Sequence, residues 1–361
     1  MADRPEPAIT ILLGAGASKD AGLKLSAELT DELHSNVLQN KDEDLRRALG
    51  LILGAIAFRR SIEGTDRHAP TDIETVLRLA QQLAVRETHP LSGFVASWHS
   101  ALEQIAPHGN GITFQRLIGR ARDILRDALK EPEDHARLSY LANVRRLVVP
   151  SDPQDNYPEV FTLNYDRCLE LGLAYERTDF TTGFSEGRWD QTQFLRSSCV
   201  RIYKLHGSFG WVRHPENTIL YDRDLALART DIDIASYDTE DELIFGTDNK
   251  LRAVQPFLWM AYRLSEAVAR SKFIVVIGYG FGDSYINQIL SQGMATDPAK
   301  RLIAVGPRLS ESDLERAEGL QYLPERFHLI VEPARQALMD NDTVRKKIVA
   351  LSRASEEERP F

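Results

Sequence analysis

The residues best suited to chemistry fall in four clusters, each directly after a short apolar run. The first is Gly14-Ala15-Gly16-Ala17-Ser18. Glycines let a backbone turn tightly and approach a pyrophosphate, whose charge is stabilised by the N–H groups at the start of a following helix. The dinucleotide fingerprint G-x-G-x-x-G wants glycine at position 19, where this chain has Lys19, and the acidic residue expected on a second strand is missing. A glycine turn that merely joins strand to helix is the plain alternative. The second cluster is Thr162-Leu163-Asn164-Tyr165-Asp166. A neutral amide and a carboxylate two residues apart can hold a ribose hydroxyl or a water by hydrogen bonds. An Asn/Asp turn with helix capping uses the same residues.

In the third cluster, Lys204-Leu205-His206-Gly207-Ser208, a histidine is followed by a glycine that frees the backbone. Such a histidine is placed to act as a general base near neutral pH, or to make a structural hydrogen bond. The fourth cluster is Gly278-Tyr279-Gly280-Phe281-Gly282-Asp283, with Asn287 one helical turn beyond Asp283. It reads as a second glycine-rich turn opening a helix, with Asp283 as N-cap and Asp283 and Asn287 on one face. Capping and surface roles for both residues are the alternative to ligand binding. The nine histidines show neither H-x-x-x-H nor H-E-x-x-H spacing, and Cys168 and Cys199 are the only cysteines. No metal is therefore expected, nor a disulfide framework.

The elements that must carry these clusters alternate. Ala8–Leu13, Glu159–Leu163, Cys199–Leu205, Phe273–Ile277, Leu302–Val305 and His328–Val331 are apolar runs of strand length. Continuous apolar character, rather than alternation, suits central parallel strands covered on both faces. Helical spacing separates them: Leu25, Leu29, Leu33 and Val37 within Ala21–Leu38, then Val254–Arg270 and Tyr285–Ser291. Strand, helix and strand in alternation imply a doubly wound parallel sheet, in which ligands bind beyond the carboxyl ends of the strands. All four clusters sit at such ends. From Lys41 to Val149 the pattern is helical, including Phe94–Ile105 and Phe114–Leu129, and Pro150–Pro158 reads as a returning loop. The expected organisation is α/β: residues 1–40 and 151–361 form a Rossmann-like domain, and 41–150 an all-helical inserted domain.

The chain has 361 residues, 43% of them apolar, enough for a buried core. Its net charge of −9 and the lack of a basic run argue against direct nucleic-acid binding. The opening MADRPEPAIT lacks the basic and apolar regions of a signal peptide, and the apolar runs are too short to span a bilayer. A cytoplasmic location is expected.

Taken together and in this order, the four clusters resemble the sirtuin-like superfamily, and in particular its zinc-less branch in bacterial anti-phage defence. The G-A-G-x-S turn is matched at Gly14–Ser18, T-x-N-x-D at Thr162, Asn164 and Asp166, and the H-G pair at His206 and Gly207. The branch's K-L-H-G-S-x-x-W and G-Y-S-F-x-D-x-x-I-N are close to Lys204–Trp211 and Gly278–Asn287. Lys24 stands where a proline is usual, and Gly280 where a serine is usual. Two cysteines cannot supply the four zinc ligands of protein-deacylating sirtuins. The resemblance implies cleavage of NAD, as a substrate, at the nicotinamide–ribose bond. It assigns Asn164, His206 and Asp166 to the chemistry. Gly14, Ala15, Gly16, Ser18, Thr162, Gly207, Gly278, Gly280, Asp283 and Asn287 are assigned to holding NAD. It also implies a homo-oligomer or an associated HerA-type ATPase that gates the site. A protein deacylase and a module that senses NAD or ADP-ribose without cleaving it remain the alternatives. From the cysteine count and histidine spacing, metal analysis is expected to find far less than one zinc per chain, and chelators to leave activity unchanged. About one zinc per chain, lost together with activity, would contradict this.

Overall fold

A computed structural model describes residues 9–85, 111–147, 157–196, 199–213, 219–227, 243, 255–311, 313, 317, 319–322 and 324–357. The chain forms two compact units, Lys24–Lys130 and the combination of Met1–Leu23 with Glu131–Phe361. Among the described residues no helix is long and apolar enough to cross a membrane.

Among the described residues, the regular elements of the unit Lys24–Lys130 are all helices: α1 (Ser26–Gln39), α2 (Glu43–Ile62), α3 (Ile73–Ala84) and α4 (Ile112–Ala128). Asp42 and Asp72 cap α2 and α3 by accepting from the amides of Leu45 and Thr75, which satisfies donors that a helix start leaves open. The buried stripes Leu29-Leu33-Val37, Leu45-Leu49-Ile52, Val76-Leu77-Ala80 and Phe114-Leu117-Ala121 face one another. The helix that spacing suggests around Phe94–Ile105 lies outside the described residues, as do Val148–Asn156 of the expected return to the sheet.

The other unit is built on a seven-stranded sheet. Its strands are β1 (Ile9–Leu13), β2 (Glu159–Thr162), β3 (Phe180–Thr181), β6 (Val200–Lys204), β9 (Phe273–Ile277), β10 (Arg301–Val305) and β11 (Phe327–Ile330). Every pairing in it is parallel, and the spatial order is β11-β10-β9-β1-β2-β6-β3. Both faces of the central strands are covered. Leu12, Phe161, Ile274 and Val276 pack against α7 (Phe257–Arg270) and α8 (Ser284–Ala295), and the alternate residues Ile11, Val160, Val275 and Ile303 are equally buried. Unbroken apolar runs are what such strands require, and the sequence supplies them. Two further helices, α5 (Cys168–Tyr175) and α9 (Thr343–Glu357), belong to this unit, along with the short α6 (Arg223–Leu227).

Two features depart from the sequence reading. A second sheet, antiparallel and ordered β4-β5-β8-β7, is formed by Phe184–Ser185, Arg188–Trp189, Leu220–Asp222 and Trp211–Arg213. Strands of two or three residues carry no periodicity to read; aromatic packing holds them, with Phe184 5.0 Å from Trp211 and 5.7 Å from Trp189 between ring centroids. The helix expected from Ala21 instead begins at Ser26. Residues Ala15–Ala21 wind as a 3-10 helix, which Gly22 ends at φ 102°.

The sheet order changes direction between β1 and β9, since the chain leaves β1 toward β2 and β6 and later returns to β9, β10 and β11. At this switch point the two glycine turns touch. The Gly14 amide donates to the Ile277 carbonyl at 2.9 Å and the Gly16 amide to the Gly278 carbonyl at 2.8 Å. Gly278 has φ +67°, and a Cβ there would lie 2.0 Å from the Ala17 nitrogen. Gly278→Ala combines a left-handed backbone with an overlap that cannot be relieved, and should cost about 3 kcal/mol. Gly280→Ala, where a Cβ meets nothing within 4 Å, should stay within about 0.5 kcal/mol of the parent. Urea denaturation of the two variants checks the contrast.

Candidate functional site

Just beyond the ends of four adjacent strands, β9, β1, β2 and β6, lie Gly278, Gly14, Asn164 and His206. Thr162 pairs with Lys204 in register, so Asn164 and His206 follow at matching positions on neighbouring strands. This is the place where an open parallel sheet offers a crevice.

Its floor is a directional chain of hydrogen bonds. Asn164 Nδ2 donates to Ser18 Oγ at 3.2 Å, and Ser18 Oγ donates to Asp166 Oδ1 at 3.1 Å. Each member is pre-set by its own backbone. Thr162 Oγ1 accepts from the Asn164 amide, and Asp166 Oδ1 also accepts from the Cys168 amide as α5 begins. The Tyr140 hydroxyl holds the Ala17 carbonyl at 2.6 Å, which fixes the turn that presents Ser18. Below Asp166, the Lys204 ammonium donates to the Asp166 carbonyl at 2.5 Å and to Glu170 Oε1 at 2.9 Å. Burial pushes the Asp166 carboxyl above its usual range; Lys204 and the Cys168 amide oppose that shift, and Glu170 adds to it. Burial, together with the neighbouring Asp166, pushes the Cys168 thiol up as well.

His206 stands on the other side, with Nε2 3.4 Å from Asp283 Oδ2 and its ring 6.2 Å from that of Tyr165. The chain then turns at Gly207, φ +86°. The Ser208 hydroxyl and the Phe209 amide both donate to the Tyr165 carbonyl and so tie the loop after β6 to the loop after β2. Asp283 has two tasks: Oδ1 accepts from the Tyr285 and Ile286 amides as the N-cap of α8, and Oδ2 faces His206.

The sequence-derived residues thus divide. Ser18, Asn164 and Asp166 form one chain, with Thr162 as its backbone support, and His206 meets Asp283. Asn287 is spent within its own turn: Oδ1 accepts from the Tyr279 hydroxyl and Nδ2 donates to the Phe281 carbonyl, so it does not share an open face with Asp283. Gly14, Gly16 and Gly278 are required by the contact between the turns. Ala15, Gly280 and Gly282 are exposed at the rim. His206, at a strand end where a ligand-binding crevice is expected, is only 2% exposed, with Asp283 and Tyr165 beside it. Lys204, Glu170 and Tyr140 escaped the sequence reading as site residues. The signal for Lys204 was present: a lysine closing an otherwise buried strand must have a buried partner.

A cavity of about 260 Å³ lined by Phe194, Tyr203 and Trp259 involves none of these clusters. Among the described residues no group of three or more His, Cys, Asp or Glu side chains could hold a metal ion.

Residues 158–323, somewhat under half the chain, match the family model of the SIR2-like domain. No curated protein matches the chain. Among solved structures, a Sir2 enzyme is 12% identical with a TM-score of 0.43, the alignment covering 98% of this chain and 94% of that one. A Sir2 homologue in complex with NAD is 14% identical, with a TM-score of 0.42 and coverage of 94% and 90%. A Sir2 homologue in complex with ADP-ribose is 13% identical, with a TM-score of 0.41 and coverage of 98% and 94%.

The double role of Asp283 is separable. Asp283→Ala should destabilise the protein by about 1 kcal/mol through loss of the cap, whereas Asp283→Asn, an equally good cap, should cost only a few tenths. Thermal unfolding of both variants measures this, and equal losses would show that the cap contributes nothing.

Proposed function

We propose that this chain hydrolyses NAD at the nicotinamide–ribose bond, releasing nicotinamide and ADP-ribose. The observation that carries the reading is the Ser18–Asn164–Asp166 chain at the β1/β9 switch point, with His206 at the matching position on the next strand. The SIR2-like match over residues 158–323 supports NAD as the ligand. With only two cysteines, both free and buried, the chain lacks the four thiolates of a zinc lobe, which favours hydrolysis over protein deacylation.

In this reading the pyrophosphate and adenosine lie along the exposed rim at Ala15 and Gly280–Gly282, and the nicotinamide ribose enters beside Asn164. The C1′–N bond breaks, its electron pair leaves with nicotinamide, and positive charge builds on the sugar as in glycoside chemistry. The Asp166 carboxylate stabilises that charge through Ser18 and its own field. Asn164 already donates to Ser18, and its carbonyl oxygen accepts from the attacking water. The water oxygen bonds to C1′ as His206 takes its proton. His206 is buried and Asp283 only partly exposed, so their interaction is screened less than it would be in bulk water.

Unchecked NAD hydrolysis would poison the cell that makes it. We therefore read the protein as a regulated, cytoplasmic anti-phage effector, gated by homo-oligomerisation or by a HerA-type ATPase. The −9 net charge fits a protein that does not bind nucleic acid directly.

Incubation with NAD and chromatography of the products tests the activity. Nicotinamide and ADP-ribose in equal amounts are expected. Consumption of NAD only with an acyl-lysine peptide would mean a deacylase, and binding without consumption a sensing module. Asn164→Ala should retain NAD binding by calorimetry and lose turnover by about a hundredfold, the scale of losing a positioned polar group. His206→Ala should abolish turnover. Because His206 is buried, circular dichroism must first show that the variant folds; turnover within about threefold of the parent would remove His206 from the base role.

A further inference from the structure

Lys204 is the last residue of β6, two residues before His206, and is 1% exposed. Its ammonium donates to the Asp166 carbonyl and to Glu170, which is itself 7% exposed. Taking an ammonium and a carboxylate out of water is costly for each ion, and apolar residues of similar volume often serve stability as well or better. A buried pair directly beneath Asp166 therefore calls for a reason other than stability.

The groups around Asp166 supply one. From the 3-10 turn after β1 comes the Ser18 hydroxyl; from α5 come the Cys168 amide and thiol and the Glu170 carboxylate; from β6 comes Lys204. The Tyr140 phenol lies near enough to interact with the Asp166 charge, and Glu131 acts on Cys168 behind it. Of these groups Lys204 alone carries positive charge. Everything else is neutral or negative, in a setting dry enough to favour a protonated carboxyl.

We propose that Lys204 is a positioning residue, whose buried ammonium holds Asp166 by its carbonyl and keeps the Asp166 side chain a carboxylate beneath the ribose. The inference rests on Asp166 belonging to the NAD site. Glu170 is the counterweight: it orients Lys204 and neutralises part of its field, so the two charges together set the proton affinity of Asp166. Loss of the lysine charge raises that affinity and protonates Asp166 at higher pH. Loss of the glutamate charge lowers it.

The test uses two variants of the full chain. Lys204→Gln combined with Glu170→Gln removes both charges; the substitution at 170 is isosteric, and the one at 204 is one atom shorter but keeps an amide donor toward Asp166. Glu170→Gln alone leaves the lysine charge uncompensated. The Asp166 carboxyl is followed by carbon NMR in protein labelled at aspartate, with Asp166→Asn identifying its signal, and kcat and KM for NAD are measured across pH. In the double variant the Asp166 midpoint should rise by about one pH unit. The acid limb of kcat should move with it, giving a loss of kcat that approaches about tenfold at pH values below both midpoints, while KM changes less than about threefold. In Glu170→Gln the midpoint and acid limb should move the other way. A purely structural pair would change stability but leave both midpoints in place, and that result overturns the proposal. If the double variant does not fold, Glu170→Gln decides by the same criterion. If wild-type protein consumes no NAD, the hydrolase reading fails, while the NMR midpoints still establish or refute control of Asp166 by Lys204.

Discussion

The approach of two glycine turns sets the geometry on which the rest of this protein depends. Gly14 and Gly16 lie so close to Gly278 and Tyr279 that a Cβ on either would come within 3 Å of their atoms. The hydrogen bonds from the Gly14 and Gly16 amides to the Ile277 and Gly278 carbonyls lock the end of β1 to that of β9. Because the 3-10 helix Ala15–Ala21 starts from this junction, its position delivers Ser18 to Asn164 and Asp166, and Ala17 to the Tyr140 hydroxyl. On the other side of the junction, the turn after β9 leads into Asp283, which caps α8 and faces His206. Both halves of the candidate site thus hang from one backbone contact that tolerates no side chain.

The site is also a place where the sheet unit departs from an apolar interior. Around it the core is aliphatic and aromatic, and its strands bury both faces. At the ends of β1, β2 and β6 the chain instead buries Ser18, Asn164, Asp166, Lys204, His206 and Ser208. Burial of polar groups is tolerable only where partners are supplied, and here they come from three strand ends and two turns. A cluster of this kind is expensive to assemble and strengthens every electrostatic interaction within it.

Much of the fold was legible in the residues. Runs such as Phe273-Ile-Val-Val-Ile277 are too uniformly apolar for a half-exposed strand, and helical spacing between them leaves a parallel sheet as the economical arrangement. The polar clusters are legible for a related reason, since strand ends of such a sheet are where glycine and side-chain hydrogen-bonding groups can be used. The short strands β3, β4, β5, β7 and β8 were not legible. β3 owes its conformation to parallel pairing with β6, and the other four to Phe184, Trp189 and Trp211 meeting across the chain, rather than to any pattern within their two or three residues.

By itself the sequence determined the alternation of elements, the shortage of thiolates, and the identity of the polar residues at each strand end. These are local properties, fixed by periodicity, composition and spacing. Tertiary structure alone decided which strand ends are neighbours, and therefore that Ser18 meets Asn164 and Asp166 across 146 and 148 residues of chain. It decided that Asn287 closes its own turn, that His206 lies beneath Asp283 and away from solvent, and that Lys204 reaches under Asp166 to Glu170. Burial and pairing depend on what the rest of the chain places alongside a residue, and local sequence does not carry that information.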